Sequence, residues 1–208
     1  MEQRSEEWFA SRRGKVTASR IADILATIRN GNYAASRKNY AAQLVTERLT
    51  GRDPEPYSNE YIEWGIEQEG PAREAYVRKT GNVVTEVGFV EHPNVPSAGA
   101  SPDGLVGEDG LIEIKCPTQA THIETLLNEE INDRYIKQMM WQMACTGRKW
   151  CDFVSFDPRM PEDMQLFIKR VPRDDEEIAR LENSIQEFLD EVHVTVESLT
   201  DKYRKQDE

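Results

Sequence analysis

From Arg20 onward the apolar residues Ile21, Ile24, Leu25 and Ile28 recur at the three- and four-residue spacing of one helical face. Thr17 or Ser19, just ahead of them, can cap this helix, because a hydroxyl there accepts from free N–H groups of the first turn. Further helices are predicted at about Ser36 to Leu49 and about Asn59 to Lys79, the second bent near Gly70-Pro71 and stopped by Thr80-Gly81-Asn82. At Val83 the period shortens. VVTEVGFVEH, SAGASPDGLVG and LIEIKCP read as three short strands, with turns at Pro93-Asn94 and from Gly107 to Gly110. A helix from about Asn132 to Thr146 comes next, then strands near Trp150 to Phe156 and Met164 to Val171.

The last element, from Asp174 to about Leu199, opens with DDEE, which suits the positive end of a helix dipole. Ile178, Leu181, Ile185, Phe188, Leu189, Val192 and Val196 give it one apolar stripe, better read as core than as a partner site. Helices, then strands, then helix, strands and helix predict an α/β or α+β mixed fold with a central mixed sheet. No repeat or long linker divides the chain, so one domain over residues 1–208 is expected. Within it lie a basic part at 1–52, a core at 53–172 and the amphipathic helix at 173–200.

Composition narrows the class. The chain is 38% hydrophobic and 31% charged, with no apolar run near the ~20 residues of a membrane span, so it is read as soluble. MEQRSEEWFASRRGK lacks the apolar segment of a signal peptide, and Cys116, Cys145 and Cys151 form no CxxC pair; both point to a reducing cytoplasm. The net charge of −12 argues against nonspecific coating of nucleic acid. Its distribution qualifies that: residues 1–52 carry ten Lys/Arg against five Asp/Glu, while 53–172 carry eleven against twenty-one. A polyanion can meet the N-terminal segment while the remaining surface stays acidic.

The stretch SPDGLVGEDGLIEIKCP, residues 101–117, carries the candidate chemistry. In a strand, Glu113 and Lys115 share one face, and Ile112, Ile114 and Cys116 share the other. If the turn closes with three or five loop residues, Asp103 stands opposite Glu113 on the same side; a four-residue loop would separate them. Two carboxylates near the Ile114 carbonyl form an oxygen cluster of the kind Mg²⁺ or Mn²⁺ prefers at about 2.1 Å. With Lys115 to orient a nucleophile and offset negative charge, these are the parts for phosphodiester hydrolysis. The bland reading is a hairpin whose outward Glu and Lys are solvated.

This stretch resembles the active-site motif of the lambda-type (alkaline) exonucleases and the related YqaJ-type viral recombinases, within the PD-(D/E)xK nuclease superfamily. The resemblance implies a restriction-endonuclease-like core, with Asp103 and Glu113 as metal ligands aided by the Ile114 carbonyl, and Lys115 as the catalytic lysine. EWFASRRGKVTAS, residues 7–19, is similar to the family's N-terminal pattern. It implies that Arg12 and Ser19 grip a terminal 5′-phosphate, with Trp8 near the DNA end; Arg29, in TIRNGN, corresponds to an arginine that enters the minor groove. EWGIEQEGPAREAY matches a helix with an acidic residue near the metals, best placed at Glu69, with Glu63, Glu67 and Glu74 as competitors. YIKQMMWQMACTG implies Gln138 as a positioner of water or phosphate, facing the site with Tyr135 and with Gln142 as its rival. FDPRM, residues 156–160, also looks like the family and is given no chemistry.

As a whole the resemblance implies a Mg²⁺-dependent 5′-to-3′ exonuclease that degrades the 5′-ended strand of linear duplex DNA and leaves a 3′ overhang. A ring-shaped homotrimer around the duplex and a single-strand annealing partner in phage recombination are implied with it. The alternatives are a structure-specific or restriction-type endonuclease, which has no need of a terminal-phosphate grip, and a DNA-end binding module without catalysis. Three cysteines cannot supply the four thiolates of an iron–sulfur cluster, and His92, His122 and His193 read as scattered surface histidines without zinc spacing.

Overall fold

The computed structural model describes residues 2–53 and 58–204. The chain runs α1 (Glu6–Arg12), β1 (Val16–Thr17), a 3₁₀ turn (Ala18–Arg20), α2 (Ile21–Leu25), α3 (Ala35–Thr50) and α4 (Glu60–Thr80). The strands β2 (Val84–Thr85), β3 (Val90–Glu91), β4 (Ala98–Ala100), β5 (Gly104–Val106) and β6 (Gly110–Lys115) come next. Then come α5 (Gln119–Asn128), α6 (Asp133–Thr146), β7 (Trp150–Phe156), β8 (Leu166–Pro172) and α7 (Asp175–Tyr203).

The main sheet has five strands in the order β2-β5-β6-β7-β8, and only the β6/β7 pairing is parallel, so it is mixed as expected. A smaller sheet, β1-β4-β3, was not foreseen. It arises because two of the expected strands each divide. Residues 83–92 give β2 to one sheet and β3 to the other, with the Phe89 ring set so close to Gly99 that a Cβ there would lie 2.4 Å from Cζ. Residues 97–107 break at Ser101-Pro102-Asp103, where proline has no N–H to continue a ladder. The chain changes sheets there and leaves Asp103 at the start of β5.

The first predicted helix is also shorter than its apolar stripe. It ends at Leu25, and Ile28, half exposed, belongs instead to a tight loop closed by the Thr27–Tyr33 bridge and by Ile28 N–H to Asn32 O at 2.8 Å. Thr17 makes no side-chain capping bond, because a 3₁₀ turn precedes the helix. Two helices went unpredicted: α1, capped where Ser5 Oγ accepts from Trp8 N–H, and α5, capped where Thr118 Oγ1 accepts from Thr121 N–H.

Hydrophobic burial fixes the layers. On one face of the main sheet Leu111, Phe153 and Val171 meet Met139, Trp141 and Met143 of α6 and the stripe of α7. Six stripe residues, Ile178 to Val192, are buried and Val196 partly so, as expected of core; each fully buried side chain of this kind contributes ~1.5–3 kcal/mol. On the other face Ile112, Ile114, Val154 and Phe156 pack under Ala72 and Tyr76 of α4. The sheet is therefore held between α6/α7 and α4, and the C-terminal end of β6 emerges between them. No helix among the described residues is long and apolar enough to cross a membrane.

Candidate active site

The β5/β6 hairpin closes with the three residues Gly107 to Asp109, Gly107 taking the left-handed conformation (φ +54°) that lets the loop be this short. The pairing Gly104↔Ile112 puts Asp103 opposite Glu113. Asp103 Oδ2 accepts from Ile114 N–H at 2.6 Å, which fixes the carboxylate beside that peptide. Glu113 is only 1% exposed, so the solvated-hairpin reading fails. Its face is covered by α6, from which Gln138 Nε2 donates to Oε1 at 2.7 Å and Gln142 Nε2 to Oε2 at 2.6 Å. Gln138 and Gln142 stand one turn apart, so the two rivals both hold the same carboxylate. Lys115 Nζ lies 2.5 Å from Glu113 Oε1 and 4.9 Å from the Tyr135 ring centroid.

Electrostatics follow from this crowding. Burial, with the charges of Glu113 and Glu69, holds the Asp103 carboxyl well above the usual carboxylate range, against the pull of Lys115 and the Ile114 N–H. Burial by itself would lower the Lys115 pKa, but Glu113 and Asp103 outweigh it and keep the ammonium charged beyond its ordinary range. Lys115 can thus supply positive charge but not a free base. Cys116 is pushed up to about 12 by burial and by Asp103 and Glu69, which makes it a neutral thiol rather than a nucleophile.

Glu69, on α4, faces the same space. Its Oε2 accepts from Arg4 Nη2 and its Oε1 from Arg73 Nη2, both at 2.7 Å, and Arg73 also reaches Glu86. Among the described residues no three Asp, Glu, His or Cys side chains form a ready metal cluster. Glu69 and Glu113 give their oxygens to guanidinium, ammonium and amide groups. The donor set still fits a hard divalent cation: three carboxylates and a peptide carbonyl, all oxygen, with their mutual repulsion already visible in Asp103.

The N-terminal side of the site is built differently. Trp8, 8% exposed, is anchored by its indole N–H to Ser101 Oγ at 2.9 Å, and the Arg12 guanidinium stacks on it 3.8 Å from the ring centroid. Burial lowers the Arg12 pKa to about 10 while Tyr40 and Glu47 draw it back up, so it stays a cation at neutral pH. The turn after α1 is tied to α3: Gly14 (φ +68°) gives its N–H to Glu47 Oε2 at 2.7 Å and its carbonyl accepts from Arg48 Nε at 2.9 Å, and a Cβ there would press within 2.9 Å of Arg48 Cγ. Ser19 is exposed within the 3₁₀ turn.

One cavity of about 650 Å³ is lined by Trp8, Arg12, Ser19, Glu69, Asp103, Glu113, Ile114, Lys115 and Gln138. Arg29 is not on its wall; it sits in the loop beyond α2. Gln142, the rival of Gln138, holds Glu113 as well, and Tyr135 stands beside Lys115, on the face it was expected to share with Gln138. Arg4 is the neighbour that the sequence did not single out. FDPRM has a structural part, since Asp157 binds Arg159, whose guanidinium stacks on Trp64 of α4, 4.4 Å from the centroid. Two of the histidines are buried, not superficial: His122 bridges Ser155 Oγ and Met164 O, and His92 Nδ1 accepts from Asn94 and Val95 N–H.

Known proteins share this fold. A family model described as the YqaJ-like viral recombinase domain matches residues 7–149. The chain is similar to an alkaline exonuclease, LHK-Exo, from Laribacter hongkongensis, at 52% identity over 97% of this chain and 99% of that one, with a TM-score of 0.90. LHK-Exo in complex with dAMP matches equally, with a TM-score of 0.91. A phage related exonuclease from Haemophilus somnus 129PT shares the fold at 17% identity, over 87% of this chain and 96% of that one, with a TM-score of 0.62. No curated protein sequence matches.

Proposed function

The chain belongs to the YqaJ-like viral recombinase family, and on that premise we propose that it is a divalent-metal exonuclease, degrading the 5′-ended strand of linear duplex DNA. A nuclease role is supported by 52% identity to an alkaline exonuclease over nearly the whole chain. The observation that carries the finer reading is that a single pocket is lined both by Arg12, stacked on Trp8 and ion-paired to no carboxylate among the described residues, and by Asp103, Glu113 and Lys115. The first suits a terminal phosphate, and the second suits the linkage beyond it. That LHK-Exo binds dAMP, a deoxynucleoside monophosphate, supports mononucleotide release.

In this reading Asp103, Glu113 and the Ile114 carbonyl hold Mg²⁺ or Mn²⁺, with Glu69 as a further ligand. When bound, the cation lowers the pKa of water and offsets charge on the scissile phosphate. The chain's own residues do the rest. Lys115 keeps its ammonium against the phosphate oxygens and so stabilises charge that grows as the bond breaks. Gln138 and Gln142 fix the Glu113 carboxylate, and Gln138, on the pocket wall, orients water or phosphate. The Arg12 guanidinium takes the terminal 5′-phosphate in a paired contact, Trp8 holds that guanidinium flat, and Ser19 adds a hydroxyl donor. Arg29, on its loop, contacts the duplex outside the pocket. A ring-shaped homotrimer acting beside a single-strand annealing protein completes the proposal, because a ring can line its channel with the basic N-terminal segment and turn the acidic surfaces outward.

The test is a linear duplex with a 5′-phosphate on one strand and a 5′-hydroxyl on the other, incubated with Mg²⁺ or EDTA, each strand followed separately. Metal-dependent loss of the phosphorylated strand first, with mononucleotide products, is expected. Cutting of closed circular DNA at a comparable rate would favour an endonuclease and end this reading.

A further inference from the structure

Ahead of α1, Ser5 closes a turn by donating from its N–H and its Oγ–H to Glu2 O, at 3.4 and 2.7 Å. The third residue of that turn is Arg4, at φ +68°. A left-handed conformation there is normally left to Gly or Asn, so a long side chain is kept at the cost of backbone strain. The turn is also pinned to the site: Gln3 Nε2 donates to Val87 O and to Pro102 O, both at 2.8 Å, immediately before Asp103. Arg4 lies on the pocket wall with Arg12 and Lys115, and its side chain is 45% exposed.

The two guanidiniums on Glu69 differ. Arg73 is one helical turn away, 18% exposed, and held as well by Glu86 and Asp103 O. Arg4, more exposed and facing the cavity, is the one that can change partners. A DNA phosphate has the charge and the paired oxygens to displace a carboxylate from it.

We propose that Arg4 couples DNA binding to cation binding: without DNA it occupies one oxygen of Glu69, and a backbone phosphate entering the pocket takes over the guanidinium and frees that oxygen for the cation. This rests on the reading above of a DNA-end substrate and of Glu69 as a cation ligand. Binding linkage then requires Mg²⁺ to tighten DNA by the same factor by which DNA tightens Mg²⁺.

The experiment measures Mg²⁺ affinity by calorimetry with and without a duplex whose 5′-terminal linkages resist hydrolysis. It compares the wild type with Arg4→Gly, which relaxes the turn, and with Arg4→Lys, which keeps a charge. In Arg4→Gly, Mg²⁺ alone is expected to bind about two- to fivefold tighter, the range of a half-exposed ion pair, and DNA in EDTA to bind correspondingly weaker. The coupling factor therefore shrinks, and Arg4→Lys restores part of it. A simple charge effect would tighten Mg²⁺ equally with and without DNA; an unchanged coupling factor overturns the proposal. If the wild type itself binds neither Mg²⁺ nor DNA ends, the functional reading falls, and the proposal with it.

Discussion

Glu113 and Arg12 line the same cavity but are held by opposite means. Glu113 is buried on a central strand, and Gln138, Gln142 and Lys115 supply donors to its oxygens. Arg12 ends a short surface helix, stacks on Trp8, and has no carboxylate within ion-pair distance among the described residues. The carboxylate end is thus electrostatically tight and built into the sheet, so its ligands have to be traded for any cation to enter. The arginine end is a cation preset for an anion, mounted on an indole and a glycine turn. Substitutions at the first should change chemistry, and substitutions at the second should change which DNA end is chosen.

The largest effect should come from Glu113→Gln, which removes a charge from the centre of the carboxylate cluster. Its turnover should fall about 10³-fold or more while binding of DNA ends persists, measured by single-turnover digestion beside a binding titration. Arg12→Ala should cut the rate ratio between 5′-phosphate and 5′-hydroxyl ends by about 10- to 100-fold, the worth of a charge-assisted pair of hydrogen bonds. An unchanged ratio would take Arg12 out of the grip. Gln142→Met is a smaller break. It strips a buried donor from Glu113 Oε2, an orphaning that costs ~1–3 kcal/mol, so kcat should drop about tenfold with KM nearly constant.

The mildest effect is thermodynamic. Burial, Glu113 and Glu69 raise the folded Asp103 pKa above its unfolded value, so the native chain holds this proton longer. The group's contribution to stability therefore declines as pH rises from the ordinary carboxylate range through the raised pKa. A cation competes with that proton. Added Mg²⁺ should lift Tm more at about pH 8 than at about pH 5, and Asp103→Asn should flatten the difference.

The same contrast governs what the sequence disclosed. Residues 101–117 were legible because a period of two and a three-residue turn leave few registers, and Asp103 opposite Glu113 is one of them. The α7 stripe was legible for the equivalent helical reason. Less could be read where one residue redirects the chain: Pro102 splits a strand between two sheets, and the loop at Thr27 to Tyr33 ends α2 before Ile28. Short helices such as α1 lean on one cap and on tertiary contacts, which periodicity does not register. Arg4 was hidden most thoroughly, since its importance lies in a backbone angle and in a partner 65 residues away.

The two ends are separated most directly by binding without cleavage. Glu113→Gln, alone and combined with Arg12→Ala, is titrated with duplexes differing only in a 5′-phosphate or 5′-hydroxyl. The single variant should hold the phosphorylated end about tenfold or more tightly over the other, and the double variant should hold both alike. A preference that survives the loss of Arg12, or that disappears with Glu113 alone, would contradict a pocket with one end for gripping and one for cutting.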